Sequence, residues 1–335
     1  MQTLGWTALF VVSAAIVVRC GLSLSRAGDR LAETTGLGRL WVGTILLAVA
    51  TSLPELVTNL AAVRLDAPAL AGGNILGANM LNVVVLVGLV SLFPKAVVRP
   101  MGSDQWWLVG TALALTGVVT LLVALEGPGN VGPVSLGTLL LLGGYVVGMV
   151  AVYRTRGAVE AAVALADGPT DQVPVSAKRA WLAFGLAAGG VLVAAPLLAA
   201  SADRLADILG ISGSFMGVLA VAIVTTMPET SVTWGALRLG SEEMALGNVY
   251  GSCAFNVLVL GLSDLLYARP IFTVLDRSHL VAGLGALALM GVGPLFLFLR
   301  MRQMLTLSRL VAVGVLAGWI GAMFLVLASA PGPVT

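Results

Sequence analysis

The sequence alternates between long apolar stretches and short polar connections. Because a helix needs about 20 apolar residues to cross the hydrocarbon core of a bilayer, each long stretch predicts one transmembrane helix. Ten stretches are long enough, at residues 5–25, 40–63, 69–93, 105–125, 133–153, 181–201, 212–237, 244–266, 279–299 and 309–329. The pattern therefore predicts an all-α membrane protein with ten transmembrane helices.

An internal repeat relates the two halves of the chain, with a constant offset of 174 residues. The stretch ATSLPELVTN at 50–59 corresponds to VTTMPETSVT at 224–233, and GGNILGANMLNVVVL at 72–86 corresponds to LGNVYGSCAFNVLVL at 246–260. Shared leucines arise easily by chance in apolar segments, whereas shared Thr, Pro, Glu, Gly and Asn positions in one register do not. We therefore interpret the chain as a duplicated half.

Each half contains five predicted helices, and this odd number means that the second half enters the membrane from the opposite side. Two inverted repeats are an architecture of transporters, which bind their substrates near the middle of the membrane, between the repeats. We predict a first five-helix repeat at residues 1–153, a linker at 154–180 and a second five-helix repeat at 181–335.

The distribution of Lys and Arg predicts the orientation of the chain. Thirteen of them lie on the side of the membrane that carries the linker and four on the other side, with Arg19 omitted because it falls inside the first stretch. Since basic residues favour the cytoplasmic side, this bias places the linker in the cytoplasm and both termini outside it. The expected location is the cell (inner) membrane.

The composition agrees with a membrane protein and excludes several other classes. Hydrophobic residues make up 59% of the chain and charged residues 10%, whereas soluble domains carry about 25% charged residues. A net charge of only +2 offers no electrostatic support for binding to nucleic acid. The two cysteines, Cys20 and Cys253, both lie in apolar stretches and indicate neither a disulfide framework nor a metal cluster.

Two carboxylates, Glu55 and Glu229, lie at equivalent positions of the repeated motif, well inside predicted helices. A charged side chain in the middle of the bilayer costs about 2.5–3.5 kcal/mol, and the inverted repeat brings these two together. A cation between them would remove both the cost of burial and their mutual repulsion, and two negative charges suit a divalent ion. The alternative is a pair of protonated glutamates that are hydrogen-bonded at a helix interface.

Further oxygen atoms precede each glutamate by about one helical turn. The proline beside each glutamate has no N–H group to donate to the preceding turn of the helix. Backbone carbonyls near Thr51 and Thr225 are therefore left without their helical hydrogen bonds. The hydroxyl groups of Ser52 and Thr226 can supplement these carbonyls. Broken helices supply cation ligands of this kind in transporters.

The helix after each glutamate carries a polar stripe with a spacing of four residues. The two stripes comprise Asn74, Ala78 and Asn82 in the first half and Asn248, Ser252 and Asn256 in the second. Amide oxygens are hard ligands that suit Ca²⁺ or Na⁺, so we predict that Asn82 and Asn256 bind the ion; the alternative is hydrogen bonding between helices. Because the set contains no Cys or His, Zn²⁺ and Cu⁺ are disfavoured, and Mg²⁺ ranks below Ca²⁺ because it dehydrates reluctantly.

The motif pairs ATSLPE with GNILGANMLN and VTTMPE with GNVYGSCAFN resemble those of the sodium/calcium exchangers, within the Ca²⁺:cation antiporter superfamily. The resemblance implies a secondary-active antiporter, not an enzyme, that exports Ca²⁺ in exchange for Na⁺ by alternating access. It implies no cofactor, because the ions are substrates; the expected partners are these ions and the lipid bilayer, and the chain is expected to act as a monomer. The implied ion ligands are Glu55, Glu229, Thr51, Thr225, Ser52, Thr226, Asn82, Asn256 and Ser252.

The resemblance leaves the coupling ion open. Ala78 stands where the first repeat of the family usually has serine, so one hydroxyl that can bind Na⁺ is missing. Coupling to H⁺ requires only the two glutamates, and another divalent cation could replace Ca²⁺. A cation channel that uses paired glutamates is a further alternative. The sliding gate helices of the family would correspond here to residues 5–25 and 181–201.

Overall fold

The structure, a computed structural model, describes residues 2–93, 100–126, 130–131, 134–155, 176–209 and 223–329. Within these ranges ten main helices follow one another along the chain, which confirms the predicted all-α membrane fold. They are α1 (Gln2–Thr35), α2 (Arg39–Arg64), α3 (Pro68–Leu92), α4 (Ser103–Ala124), α5 (Leu136–Thr155), α6 (Ala177–Ile208), α7 (Met227–Arg238), α8 (Glu242–Leu266), α9 (Arg277–Met301) and α10 (Leu305–Ser329).

Two short elements interrupt this plan. An antiparallel ladder pairs Asn130–Val131 with Val134–Ser135 between α4 and α5, and a 3-10 turn at Ile271–Thr273 precedes α9. Of the helices in the described ranges, nine are long and apolar enough to cross a membrane, whereas α7 has 12 residues. The first part of the predicted span at 212–237, and most of the predicted linker at 154–180, lie outside the described residues.

The first helix of each half is longer than its apolar stretch. α1 has 34 residues and α6 has 32, whereas the stretches cover only 5–25 and 181–201. At about 1.5 Å per residue α1 is about 50 Å long, well beyond the roughly 30 Å of the hydrocarbon core. Counting apolar residues detects only the part of a helix that lies within the membrane, and α1 continues into a polar end. There Arg39, at the start of α2, bonds Asp29 at 2.6 Å and Glu33 at 3.2 Å.

The helix boundaries reproduce the internal repeat. Adding the offset of 174 to the ends of α2, α3 and α5 gives residues 238, 266 and 329, which are the ends of α7, α8 and α10. Adding it to the starts of α3 and α4 gives 242 and 277, which are the starts of α8 and α9. Asn79 and Cys253, which are also 174 residues apart, each contact the backbone carbonyl of the other. These contacts indicate that the pseudo-two-fold axis between the two inverted halves passes close to Asn79 and Cys253.

α8 lies at the centre of the packed helices. It contacts α2, α3, α4, α5 and α7, and most of its side chains are buried. A methyl group at Gly247 would lie 2.6 Å from the carbonyl oxygen of Leu40, and one at Gly251 would lie 2.6 Å from that of Thr44. The contact at Thr44 falls on the π-helical segment Val42–Leu47 of α2. The two glycines therefore allow the backbones of α2 and α8, one from each half, to approach closely.

α1 and α6 pack along each other on the outside of the bundle and form the most extensive helix pair in the described structure. Each also contacts the opposite half, α1 through α7 and α6 through α2. The contact between α1 and α7 is made by small residues, because Gly21 faces Ser231 and Gly235 faces Ser25. One hydrogen bond crosses this contact, from the Ser25 hydroxyl to the carbonyl oxygen of Val232 at 2.7 Å. The glycines therefore allow α1 and α7 to pack closely against each other.

Candidate cation-binding site

The two predicted carboxylates lie buried at the interface between the halves. Glu55 on α2 is 6% exposed, and Glu229 in the first turn of α7 is 1% exposed. The Ser52 hydroxyl of the first half donates a hydrogen bond to Oε1 of Glu229 at 3.2 Å, which joins the two copies of the repeated motif directly. The two carboxylates also interact electrostatically with each other. The fold thus brings together two motifs that lie 174 residues apart in the chain.

Six buried side-chain oxygens have no hydrogen-bond partner within the described part of the chain, and four of them belong to predicted site residues. These four are Oε2 of Glu55, Oε2 of Glu229, Oδ1 of Asn82 and Oδ1 of Asn256. They form two pairs, each related by the offset of 174. An unsatisfied buried polar atom costs about 1–3 kcal/mol, and more when it is charged. Four acceptors at one interface, two of them on carboxylates, have the chemistry of a cation-binding site.

Both asparagines use their amide NH₂ groups to contact the opposite half. Nδ2 of Asn82 lies 4.0 Å from Sγ of Cys253, and Nδ2 of Asn256 donates to Oδ1 of Asn79 at 3.0 Å. Because Asn79 and Cys253 are equivalent by the repeat, these two contacts are symmetry-related. Each NH₂ group is therefore held by the other half, and the amide oxygen remains available to an ion.

Thr51 lies at the centre of a second group of oxygens. Its hydroxyl is 3.4 Å from Oγ of Ser252 and 3.5 Å from Oδ1 of Asn248, both on α8. In the other half, Thr225 and Thr226 lie directly before α7, where Thr226 is buried and occupies the N-cap position. Hydroxyl groups from both repeats thus lie at this interface, on Thr51 and Ser52 in the first half and on Ser252 in the second.

The two prolines occupy different positions in their helices. Pro54 lies inside α2, and the α-helix continues through it from Ala48 to Arg64. Pro228 lies in the first turn of α7, and a turn at Thr226 interrupts the helix just before it. Each proline removes the N–H donor for the carbonyl four residues earlier. The expected disturbance is therefore seen in α7, whereas in α2 the irregular segment is Val42–Leu47, where α8 packs closely.

The polar stripes of α3 and α8 differ at one position. Ser252 on α8 brings a hydroxyl to 3.4 Å from Thr51, whereas the equivalent residue on α3 is Ala78. The hydroxyl of Ser252 therefore has no counterpart at the equivalent position of α3.

Two buried asparagines outside the polar stripes are hydrogen-bonded to predicted site residues. Asn59, one turn after Glu55, donates through Nδ2 to the carbonyl oxygen of Glu55 at 2.7 Å, and its Oδ1 has no partner among the described residues. Asn79 accepts the hydrogen bond of Asn256. The spacing of four residues from Glu55 was a usable signal for Asn59. Asn79 lies off the stripe of α3, and its role depends on a contact across the two halves that the spacing does not reveal.

Within the described ranges no three His, Cys, Asp or Glu side chains lie together as a potential metal cluster. The candidate site instead combines two carboxylates with neutral oxygens, which suits a hard cation. Two inverted five-helix halves with a buried polar site at their interface define an inverted-repeat membrane transporter.

Comparison with known proteins gives the family. The family model described as "Sodium/calcium exchanger protein" matches residues 5–154 and 179–328, two segments that are again 174 residues apart. The chain therefore belongs to the sodium/calcium exchanger protein family. It is an integral membrane cation antiporter and not an enzyme.

Similar proteins occur in bacteria and archaea. Inner membrane protein YrbG of Escherichia coli (strain K12) is 32% identical over 269 residues, which cover 78% of this chain and 79% of that protein. Sodium/calcium exchanger MaX1 of Methanosarcina acetivorans is 23% identical over 280 residues, covering 73% and 79%. A solved structure of the sodium-calcium exchanger NCX_Mj, soaked with 100 mM Na⁺ and 10 mM Sr²⁺, matches with a TM-score of 0.68 at 19% identity and covers 98% of this chain and 100% of its own. That match shows the same fold.

Proposed function

We propose that this protein exports Ca²⁺ across the cell membrane in exchange for Na⁺ by alternating access. The observation that carries the proposal is the set of four buried oxygens that have no hydrogen-bond partner among the described residues, arranged as two repeat-related pairs at the interface of the halves. Membership of the sodium/calcium exchanger family supports the choice of ions. The excess of basic residues beside the linker supports an orientation with both termini outside the cytoplasm.

The proposed Ca²⁺ ligands are the carboxylates of Glu55 and Glu229, because a divalent ion neutralises two negative charges that are buried together. Ca²⁺ takes six to eight oxygen ligands, so two carboxylates alone do not complete its coordination. The proposed further ligands, for Ca²⁺ or for the exchanged Na⁺, are oxygens of Thr51, Thr225, Ser52, Thr226, Asn82, Asn256 and Ser252. Ca²⁺ and Na⁺ would share the carboxylates, so that one ion leaves before the other binds.

Alternating access in this proposal is a movement of α1 and α6 relative to the rest of the protein. These two helices pack mainly on each other, and α1 meets α7 through glycine and serine side chains. Small residues present few obstacles to sliding, and the hydrogen bond between Ser25 and the carbonyl of Val232 is one contact that must break. The site residues on α2, α3, α7 and α8 would keep their relative positions during this movement.

The test is radiolabelled Ca²⁺ uptake into proteoliposomes under an imposed Na⁺ gradient. We expect Glu55→Gln and Glu229→Gln each to lower uptake at least 100-fold, because glutamine keeps the shape of the side chain but removes the charge that binds the ion. Glutamine is cheaper to bury than a carboxylate, so both variants should still insert and elute as the wild type. Glu33→Gln, in an exposed ion pair at the polar end of α1, is the matched control and should retain uptake. Wild-type uptake in either of the first two variants would refute the assigned roles.

A second candidate is exchange of Ca²⁺ for H⁺, which the absence of a hydroxyl at Ala78 favours. Protons would bind the two glutamates when Ca²⁺ leaves, and no separate Na⁺ site would be needed. Proteoliposomes with a pH gradient and no Na⁺ distinguish the two candidates, since only the second predicts Ca²⁺ uptake there. A Ca²⁺ conductance without any counter-ion would instead indicate a channel.

A further inference from the structure

One face of α1 carries three exposed arginines and a serine. Arg19, Ser23, Arg26 and Arg30 follow one another at spacings of four, three and four residues, which places them on one side of the helix. We call these four residues the arginine face. The opposite side of α1 is buried against the rest of the protein, for example at Leu24.

The charges of the arginine face are not neutralised by the protein in its described part. No ion pair is formed there by Arg19, Arg26 or Arg30. The nearby carboxylates of Asp29 and Glu33 form ion pairs with Arg39 instead. Three like charges on one face without a counter-charge repel each other. An anion bound to this face would remove that repulsion.

The depth of Arg19 in the membrane restricts which anion is available. Arg19 lies inside the apolar stretch at 5–25, and Arg30 lies 11 residues further on, about 17 Å along the helix axis. An arginine at that depth is unfavourable unless its guanidinium extends to the headgroup layer and finds a counter-charge there. The face therefore runs from the acyl-chain region to the membrane surface.

An open groove of about 580 Å³ follows the same face. Its described lining is apolar towards the middle of the stretch and basic towards the polar end, and comprises Ala14, Ala15, Val18, Arg19, Leu22, Ser23 and Arg26. A phospholipid has the same order, with apolar chains towards the middle of the bilayer and a phosphate at the surface. Neither a soluble anion nor a protein segment requires this order.

We propose that the arginine face of α1 binds an anionic phospholipid, with an acyl chain beside Ala15 and Val18 and the phosphate between Arg19 and Arg26. Ser23 lies between these two arginines and can donate a further hydrogen bond to the phosphate. Because α1 contacts both α6 and α7, the bound lipid would stabilise the position of a helix that borders the site. The proposal does not depend on which ions are exchanged.

Native mass spectrometry of the purified full-length protein, titrated with phosphatidylglycerol, tests this proposal without any transport assay. We expect phosphatidylglycerol to bind more tightly than phosphatidylcholine, and inorganic phosphate not to displace it. We expect the triple variant Arg19→Gln, Arg26→Gln, Arg30→Gln to lose affinity for phosphatidylglycerol, by about fivefold per arginine and on the order of 100-fold in all if the effects add.

The matched control removes three charges from the same predicted side of the membrane but from other helices, as Arg154→Gln, Arg302→Gln, Arg309→Gln. All three of these arginines are exposed, and we expect less than a twofold loss of affinity. Equal losses in the two triple variants would overturn the proposal, because they would show a general effect of surface charge. Equal binding of the two lipids, or displacement by phosphate, would overturn it as well. The proposal would also be overturned if the protein formed a dimer that excludes lipid and if this dimer disappeared in the triple variant Arg19→Gln, Arg26→Gln, Arg30→Gln.

Discussion

Each half of the protein orients predicted ion-binding side chains of the other half. Oε1 of Glu229 accepts a hydrogen bond from Ser52, and Nδ2 of Asn256 donates one to Asn79, while the second polar atom of each side chain has no partner in the described residues. The positions of the free oxygens therefore depend on how the halves meet. Such a dependence is required if ion binding is to favour one conformation over another.

At this residue scale, the difference between Ala78 and Ser252 leads to a prediction about coupling. Ala78→Ser would place a hydroxyl where the first half lacks one, and we expect the variant to show a stronger dependence of Ca²⁺ uptake on the Na⁺ gradient. Ca²⁺ uptake measured at several imposed Na⁺ gradients checks this. Ala69→Ser, at an exposed position of the same helix, is the control and should behave as the wild type. An unchanged Na⁺ response in Ala78→Ser would remove the argument from the missing hydroxyl.

At the scale of single helices, the contact between α2 and α8 distinguishes two glycines that are equivalent in the repeat. Gly251 has the carbonyl oxygen of Thr44 at 2.6 Å from the position of an added methyl group, whereas Gly77 has no atom of the described residues within 4 Å of that position. Among the described residues, the same small residue thus serves close packing only in the second half.

Alanine substitutions at these two glycines form a matched pair. Gly251→Ala should destabilise the protein by about 1–3 kcal/mol, because the backbone of α2 has to move away. Gly77→Ala should leave stability unchanged or raise it slightly, since alanine favours the helix more than glycine does. Thermal unfolding of the detergent-solubilised protein measures both. Equal midpoint temperatures of unfolding for the two variants would contradict the close packing of α2 on α8.

At the scale of the whole molecule, α1 and α6 form a closely packed pair on the outside of the central helices, which α1 contacts at α7 and α6 contacts at α2. They contact each other along much of their length and lie outside the bundle that carries the site residues. Their pairing is close at Gly190, where an added methyl carbon would lie 3.6 Å from Cβ of Cys20. We infer that the two helices move as one body.

A disulfide between α1 and α6 tests this movement. The distance of 3.6 Å between the Cβ positions at Cys20 and Gly190 suits a disulfide, so Gly190→Cys should crosslink to Cys20 on oxidation. We expect the crosslinked protein to retain most of its Ca²⁺ uptake, because the two helices need not separate. The double variant Cys20→Ser, Gly190→Cys is the control for oxidation. A loss of uptake that reductant restores would show instead that α1 and α6 move relative to each other.

The membrane fold and its duplication are readable from the residue order because both follow local rules. The length of an apolar run is sufficient to predict a helix that spans the membrane. The constant offset that relates Glu55 to Glu229 can be read by aligning the two halves of the sequence, whatever the packing of the helices. The family motifs can be read from the same order, and several predicted site residues contact the other half, for example Ser52 through its hydrogen bond to Glu229. The exact bounds of the repeats and linker, and the role of each residue as a ligand, stay predictions.

The tertiary structure decides every property that depends on atoms distant in the chain. Residue order cannot show that Oδ1 of Asn82 lacks a partner among the described residues while its NH₂ group contacts Cys253, since that depends on the approach of α3 and α8. It treats Gly77 and Gly251 alike, although of the two only Gly251 faces a backbone in the described part of the chain. The polar ends of α1 and α6 were missed because hydropathy reports only the part of a helix inside lipid. Helices are set by neighbours in sequence, whereas the environment of a buried oxygen is set by neighbours in space.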